Sequence, residues 1–101
     1  MKFVMSLIAA TIISAPVFAA DGAALFQEKT CWSCHGKDGK KTLTPQFPKL
    51  AGQNAAYAEQ QMKDIKSGVR SNGQSAAMKG VMELVNDAEI KALAEYISKM
   101  K

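Results

Sequence analysis

The sequence predicts an all-α domain in which short helices are separated by long loops. Three observations carry that reading. Apolar residues recur at helical spacing in two stretches, Ala58, Met62, Ile65 and Val69 in one and Ile90, Leu93, Ala94, Ile97 and Met100 in the other. Asn54 and Asn86 stand in front of them as N-caps, because an asparagine side chain accepts a hydrogen bond from an otherwise unpaired N–H of the first turn. The breakers Gly36, Gly39, Pro45, Pro48 and Gly52 gather in one stretch and deny it any helical period. The chain contains no internal repeat and no low-complexity tract.

Residues 1–19 read as an export leader that is cleaved. Lys2 is a minimal positive start, 3–15 form an apolar run containing Ser6, Thr11 and Ser14, and Pro16 ends it. Val17, Phe18 and Ala19 then place small side chains at the two positions that a signal peptidase reads, so cleavage is expected after Ala19, with Ala20 the alternative. The competing reading is an uncleaved anchor, for which the apolar stretch is barely long enough. Residues 20–101 are then one domain of about 80 residues. A chain of that size buries little core of its own and commonly leans on a staple.

Asp21 can cap a first helix running through Lys29, with Phe26 as its large aromatic anchor. This helix leads into Cys31-Trp32-Ser33-Cys34-His35. Two cysteines two residues apart, followed directly by histidine, form the attachment signature of c-type haem. Each thiol adds across one porphyrin vinyl, and the histidine that follows lies beneath the ring, where its neutral nitrogen can bind iron. Three fixed positions occur by chance about once in several thousand starts, so an accidental match in this chain is rare. A thioredoxin-like redox pair would need a βαβ setting, and no β-rich segment flanks the motif. A structural zinc site would need four ligands, whereas the chain has two cysteines and one histidine. A plain disulfide would leave His35 without a role. Trp32 and Ser33 carry no chemistry in this reading, and Trp32 is expected to pack.

Lys37, Lys40, Lys41 and Lys49 fall in the breaker-rich stretch. A solvated loop is the plainer account of them, and a docking patch beside a haem edge the functional one. A second helix spans 55–67, ended by Gly68. The segment from Ala76 to Leu84 is weakly patterned and reads as a loop. The last helix opens on Asn86 with Glu89 three residues on, the pattern of a capping box.

The only histidine is His35, so a second histidine ligand is excluded, and a methionine thioether is the natural partner because it favours Fe(II). Met62 and Met100 lie on apolar stripes and read as core. Met78 and Met82 lie in the expected loop, and the residues alone do not choose between them. The formal charge of +4 falls to +3 once Lys2 leaves, and two haem propionates would lower it to about +1. With no basic stripe interleaved with aromatics, nucleic acid is not a partner.

The segments CWSCHGKDG at 31–39, FPKLAGQ at 47–53, YAEQQMKDIKSGVR at 57–70, MKGV at 78–81 and NDAEIKALAEYI at 86–97 together resemble single-domain class I cytochromes c of the bacterial c4/c553 type. The resemblance implies a helical fold around one haem c held through Cys31 and Cys34, with Phe26 meeting Tyr96 where the first and last helices cross. It implies His35 and Met78 as axial ligands, with the Pro48 carbonyl accepting the His35 Nδ1–H. Tyr57, Gln61 and Arg70 would lie near the propionates. Val85 and Asn86 depart from the family's usual Leu-Ser, and Met82 adds a second thioether. The implied function is a soluble periplasmic electron carrier. It would be monomeric and not itself an enzyme, would have no stable membrane insertion after cleavage, and would serve periplasmic or membrane-bound redox proteins. The alternatives are a haem domain acting with an enzyme such as a peroxidase, or a ligand sensor.

Overall fold

A computed structural model describes residues 21–101, so the leader and its cleavage point lie outside the described residues. Among the described residues there are five helices and no strand: α1 (Gly22–Glu28), α2 (Cys31–His35), α3 (Ala55–Ser67), α4 (Ser75–Met82) and α5 (Asp87–Lys99).

The α5 helix is the hub. The Asn86 side chain accepts the Glu89 N–H at 2.9 Å, and the Glu89 carboxylate accepts the Asn86 N–H at 3.0 Å, so two orphan donors are satisfied reciprocally. Ile90, Leu93, Ala94 and Ile97 are buried. Met100 departs from the expected stripe: it follows the helix in an extended conformation, and its thioether lies against Gly39.

Both α1 and α3 pack on α5. Asp21 caps α1 by accepting the Ala23 N–H at 3.0 Å. A side chain on Gly22 would stand 2.5 Å from the Ala92 carbonyl oxygen and the Tyr96 Cβ, so only glycine permits this crossing. The Phe26 and Tyr96 rings meet there at 5.6 Å, inclined by 56°. The α1 helix stops at Glu28, one residue short of expectation, and does not run into the cysteine motif. Thr30 adopts a left-handed conformation, φ 60°, and makes α2 a separate single turn that hangs on α1. Asn54 caps α3 through the Tyr57 N–H at 3.0 Å, and Gly68, φ 87°, ends it. Val69 falls beyond that end and is 78% exposed, so the stripe stops at Ile65.

The segment read as a loop before the last helix is the helix α4. Ala76, Ala77, Met78 and Lys79 are all strong helix formers, but Gln74 in front of them makes no side-chain capping bond, so no start signal stands in the sequence. The helix leans on α3 and places Met78 and Met82 one turn apart on one face.

Ile90 is fully buried. Ile90→Ala is expected to lower the unfolding free energy of the haem-loaded protein by about 2–5 kcal/mol, and Asn86→Ala by about 1 kcal/mol. Guanidinium titration followed by far-ultraviolet circular dichroism measures both, and equal midpoints for Ile90→Ala and the unaltered protein would contradict the packing described.

Candidate haem-binding site

The single turn of α2 places Cys31, Cys34 and His35 along one wall of a cavity of about 340 Å³. The turn has a fixed end: Gly36, φ 86°, donates its N–H to the Trp32 carbonyl at 2.9 Å, and the Lys41 backbone crosses so closely that no side chain fits at position 36.

His35 is 6% exposed, and its Nδ1 lies 2.8 Å from the Pro48 carbonyl oxygen. A carbonyl only accepts, so Nδ1 carries the proton and Nε2 keeps its lone pair. Burial pulls the imidazole pKa below its ordinary value, against the opposite effect of that hydrogen bond, and the ring is neutral at pH 7. Pro48 is itself held in place: Leu50 and Ala51 donate to the Gly39 carbonyl at 2.8 and 3.2 Å, and Gly52 donates to the Ile97 carbonyl at 3.0 Å. The histidine's partner is thus tied to the end of α5.

Cys31 and Cys34 are not joined to each other. Before attachment, burial pushes the Cys31 thiol up to about 11, so it is a neutral thiol at pH 7. Trp32 departs from the expected packing role. It lies on the outer side of the turn, 37% exposed, with the Lys37 ammonium 5.9 Å from its ring centre.

All eight residues singled out in the sequence line this one cavity: Cys31, Cys34, His35, Pro48, Tyr57, Gln61, Arg70 and Met78. The rest of the wall is largely apolar, with Met62 and Ile65 from α3, Val81 and Met82 from α4, and Leu93 and Ile97 from α5. Of the four candidate methionines, Met62, Met78 and Met82 reach the wall, and Met100 does not. The polar groups form a small set. Arg70 donates from Nη1 to the Gln61 Oε1 at 3.1 Å, which orients the guanidinium, and Tyr57 is 53% exposed.

Sequence reasoning passed over Phe47, whose ring centre lies 6.3 Å from that of His35, and Leu50 beside it. It also missed Gln46, which accepts from the Gln74 Nε2 at 3.1 Å and joins the long loop to the start of α4. A contact between residues 28 positions apart leaves no local signal.

The residues present fit a haem. An apolar space of this volume is within the range of cofactor pockets, about 300–1,000 Å³. Two thiols share one turn of its wall, and a neutral imidazole and thioethers line it.

Comparison with known proteins points the same way. The cytochrome c family profile matches residues 19–101. Cytochrome c4 of Pseudomonas aeruginosa is 36% identical over 102 residues, which cover 99% of this chain and 49% of that protein. Cytochrome c-553 of Nitratidesulfovibrio vulgaris is 36% identical over 98 residues, covering 96% of this chain and 94% of that protein. The crystal structure of reduced recombinant cytochrome c4 from Pseudomonas stutzeri superposes with a TM-score of 0.72 at 34% identity, over 82% of this chain and 48% of that one. The chain spans about half the length of the cytochrome c4 relatives it matches. Motif, fold and relatives agree: the chain belongs to the cytochrome c family, with haem c attached through Cys31 and Cys34.

Proposed function

We propose that this chain is a one-electron carrier in which His35 and Met78 bind the haem iron from opposite faces. The observation that supports the reading is that α2 and α4 do not pack on each other and yet both line the same cavity, one carrying His35 and the other Met78. Haem c, when bound, supplies a one-electron Fe(II)/Fe(III) couple.

The chain's own residues do the rest. Pro48 fixes the His35 tautomer and ring orientation and raises the basicity of Nε2. Met78 offers a soft thioether from a helix, and Met82, 2% exposed, fills space one turn further along. With haem bound, the apolar wall would keep water from it and disfavour the more highly charged oxidised state, adding to a thioether's effect on the potential. Gln61 aligns the Arg70 guanidinium, which with Tyr57 would receive the propionate carboxylates. With His35 and Met78 both given to the iron, no place for substrate would remain there, and the chain is read as a carrier rather than an enzyme.

The leader-like start supports export and a periplasmic location. Among the described residues, no helix is long and apolar enough to cross a membrane. The partners are redox proteins of the periplasm or membrane face, met in brief encounters over small interfaces, and the carrier acts as a monomer.

Met78→Ala is expected to abolish the sulfur-to-iron charge-transfer band of the oxidised protein, to lower its potential and to open the reduced form to carbon monoxide. Met82→Ala is expected to keep the band and lose about 2–5 kcal/mol of stability. Loss of the band in Met82→Ala alone would move the assignment to Met82. Rapid carbon monoxide binding by the unaltered reduced protein would favour a catalytic haem domain. The double change Cys31→Ser with Cys34→Ser is expected to leave the chain largely unfolded. A helical, protease-resistant double variant without haem would show that the cofactor is not structural.

A further inference from the structure

We infer that Lys66 is a positioning residue for the thioether side of the haem site: from the last turn of α3 its ammonium holds the end of α4, and so sets how firmly Met78 is presented to the cavity. The inference deepens the carrier reading and rests on Met78 as the ligand of the iron.

The first ground is how little else holds α4. It has eight residues, too few for a helix to stand by itself in water, and Gly80 within it weakens it further. Among the helices it packs on α3 alone. Its start has no side-chain cap, and the bond that ties it there to the long loop joins two exposed amides, Gln74 and Gln46, for which water competes. The hold on its far end therefore matters more than it would in a longer, self-capped helix.

The second ground is what Lys66 reaches. Val85 is 1% exposed and lines the cavity. Its N–H donates to the Met82 carbonyl at 3.1 Å and closes the last turn of α4. Its own carbonyl receives no backbone N–H among the described residues, and the Lys66 Nζ donates to it. A line of hydrogen bonds thus runs from α3 through Lys66 and the Val85 peptide to Met82, and Met78 stands one turn before Met82 on the same face. Lys29, Lys63 and Lys79 pair with carboxylates, whereas Lys66 has no ion-pair partner among the described residues and gives its ammonium to this carbonyl. A cation at that point also faces the C-terminal ends of both α3 and α4, where the helix dipole favours it.

The test uses the haem-loaded oxidised protein and imidazole, which binds the iron only where the thioether has left it. Binding is followed by loss of the sulfur-to-iron charge-transfer band. Lys66→Met keeps the length of the stem and removes the donor. It is expected to bind imidazole about tenfold more tightly, the size of effect that a hydrogen bond to a charged group carries. Lys66→Arg restores a donor and should bind imidazole as the unaltered protein does. Leu25→Ala, a core truncation in α1 outside the cavity wall, should lose at least as much stability to guanidinium as Lys66→Met and leave imidazole affinity unchanged. Unchanged affinity in Lys66→Met, or equal tightening in Lys66→Arg or in Leu25→Ala, would overturn the inference. Met78→Ala separates it from the reading beneath it. Loss of the band there with no effect of Lys66→Met rejects the role of Lys66 alone, and a band kept in Met78→Ala rejects the ligand assignment and this inference with it.

Discussion

The interior of this protein does not close on itself. Ala58, Met62, Ile65, Met82, Val85, Leu93 and Ile97 belong to the buried core, and the same seven residues face the cavity. Burial of apolar area is the main stabilising term in a domain, and here much of it is completed by whatever fills that space. The helices reflect this. The α2 turn touches only α1 and α4 touches only α3, so the two sides that bear His35 and Met78 are joined through the cavity and not through each other. A short chain with an open core of this kind gains from a ligand that cannot leave, and two thioether bonds provide one.

How much of this the sequence discloses depends on how far apart the interacting groups lie. The ends of α3 and α5 were legible because Asn54, Gly68, Asn86 and Glu89 satisfy backbone groups within a few residues of themselves. The cysteine–histidine motif was legible for the same reason. The α4 helix was not, since nothing at its start advertises a cap and Gly80 interrupts its pattern. Val69 and Met100 continued apolar stripes on paper, yet each falls past the end of its helix. The order of chain segments around the cavity came from resemblance, and the contacts that seal it, Phe47 near His35 and Gln46 with Gln74, join residues 12 and 28 positions apart.

The stretch from Gly36 to Gly52 is irregular without being loose. Three backbone hydrogen bonds, from Leu43 to Cys34, from Leu50 to Gly39 and from Gly52 to Ile97, fasten it in turn to the attachment turn, to itself and to α5. Its glycines and prolines exclude helix, and these ties replace the hydrogen bonds that helix would have made. The irregularity brings Pro48 to His35 and leaves Lys37, Lys40 and Lys41 exposed and outside the cavity wall.

The hydrogen bond between His35 and Pro48 also bears on how the two sides of the iron can evolve. Its acceptor belongs to the main chain, so no replacement of the side chain at position 48 deletes that oxygen. A substitution at position 48 alters ring stiffness and leaves an oxygen in place, provided the ties at Gly39 and Gly52 persist. The sulfur proposed for the iron on the α4 side is a side-chain atom, and a single codon change at Met78 removes it. Side-chain replacement can thus retune the cavity from the α4 wall, where Met78 and Met82 stand, without touching the oxygen that orients His35.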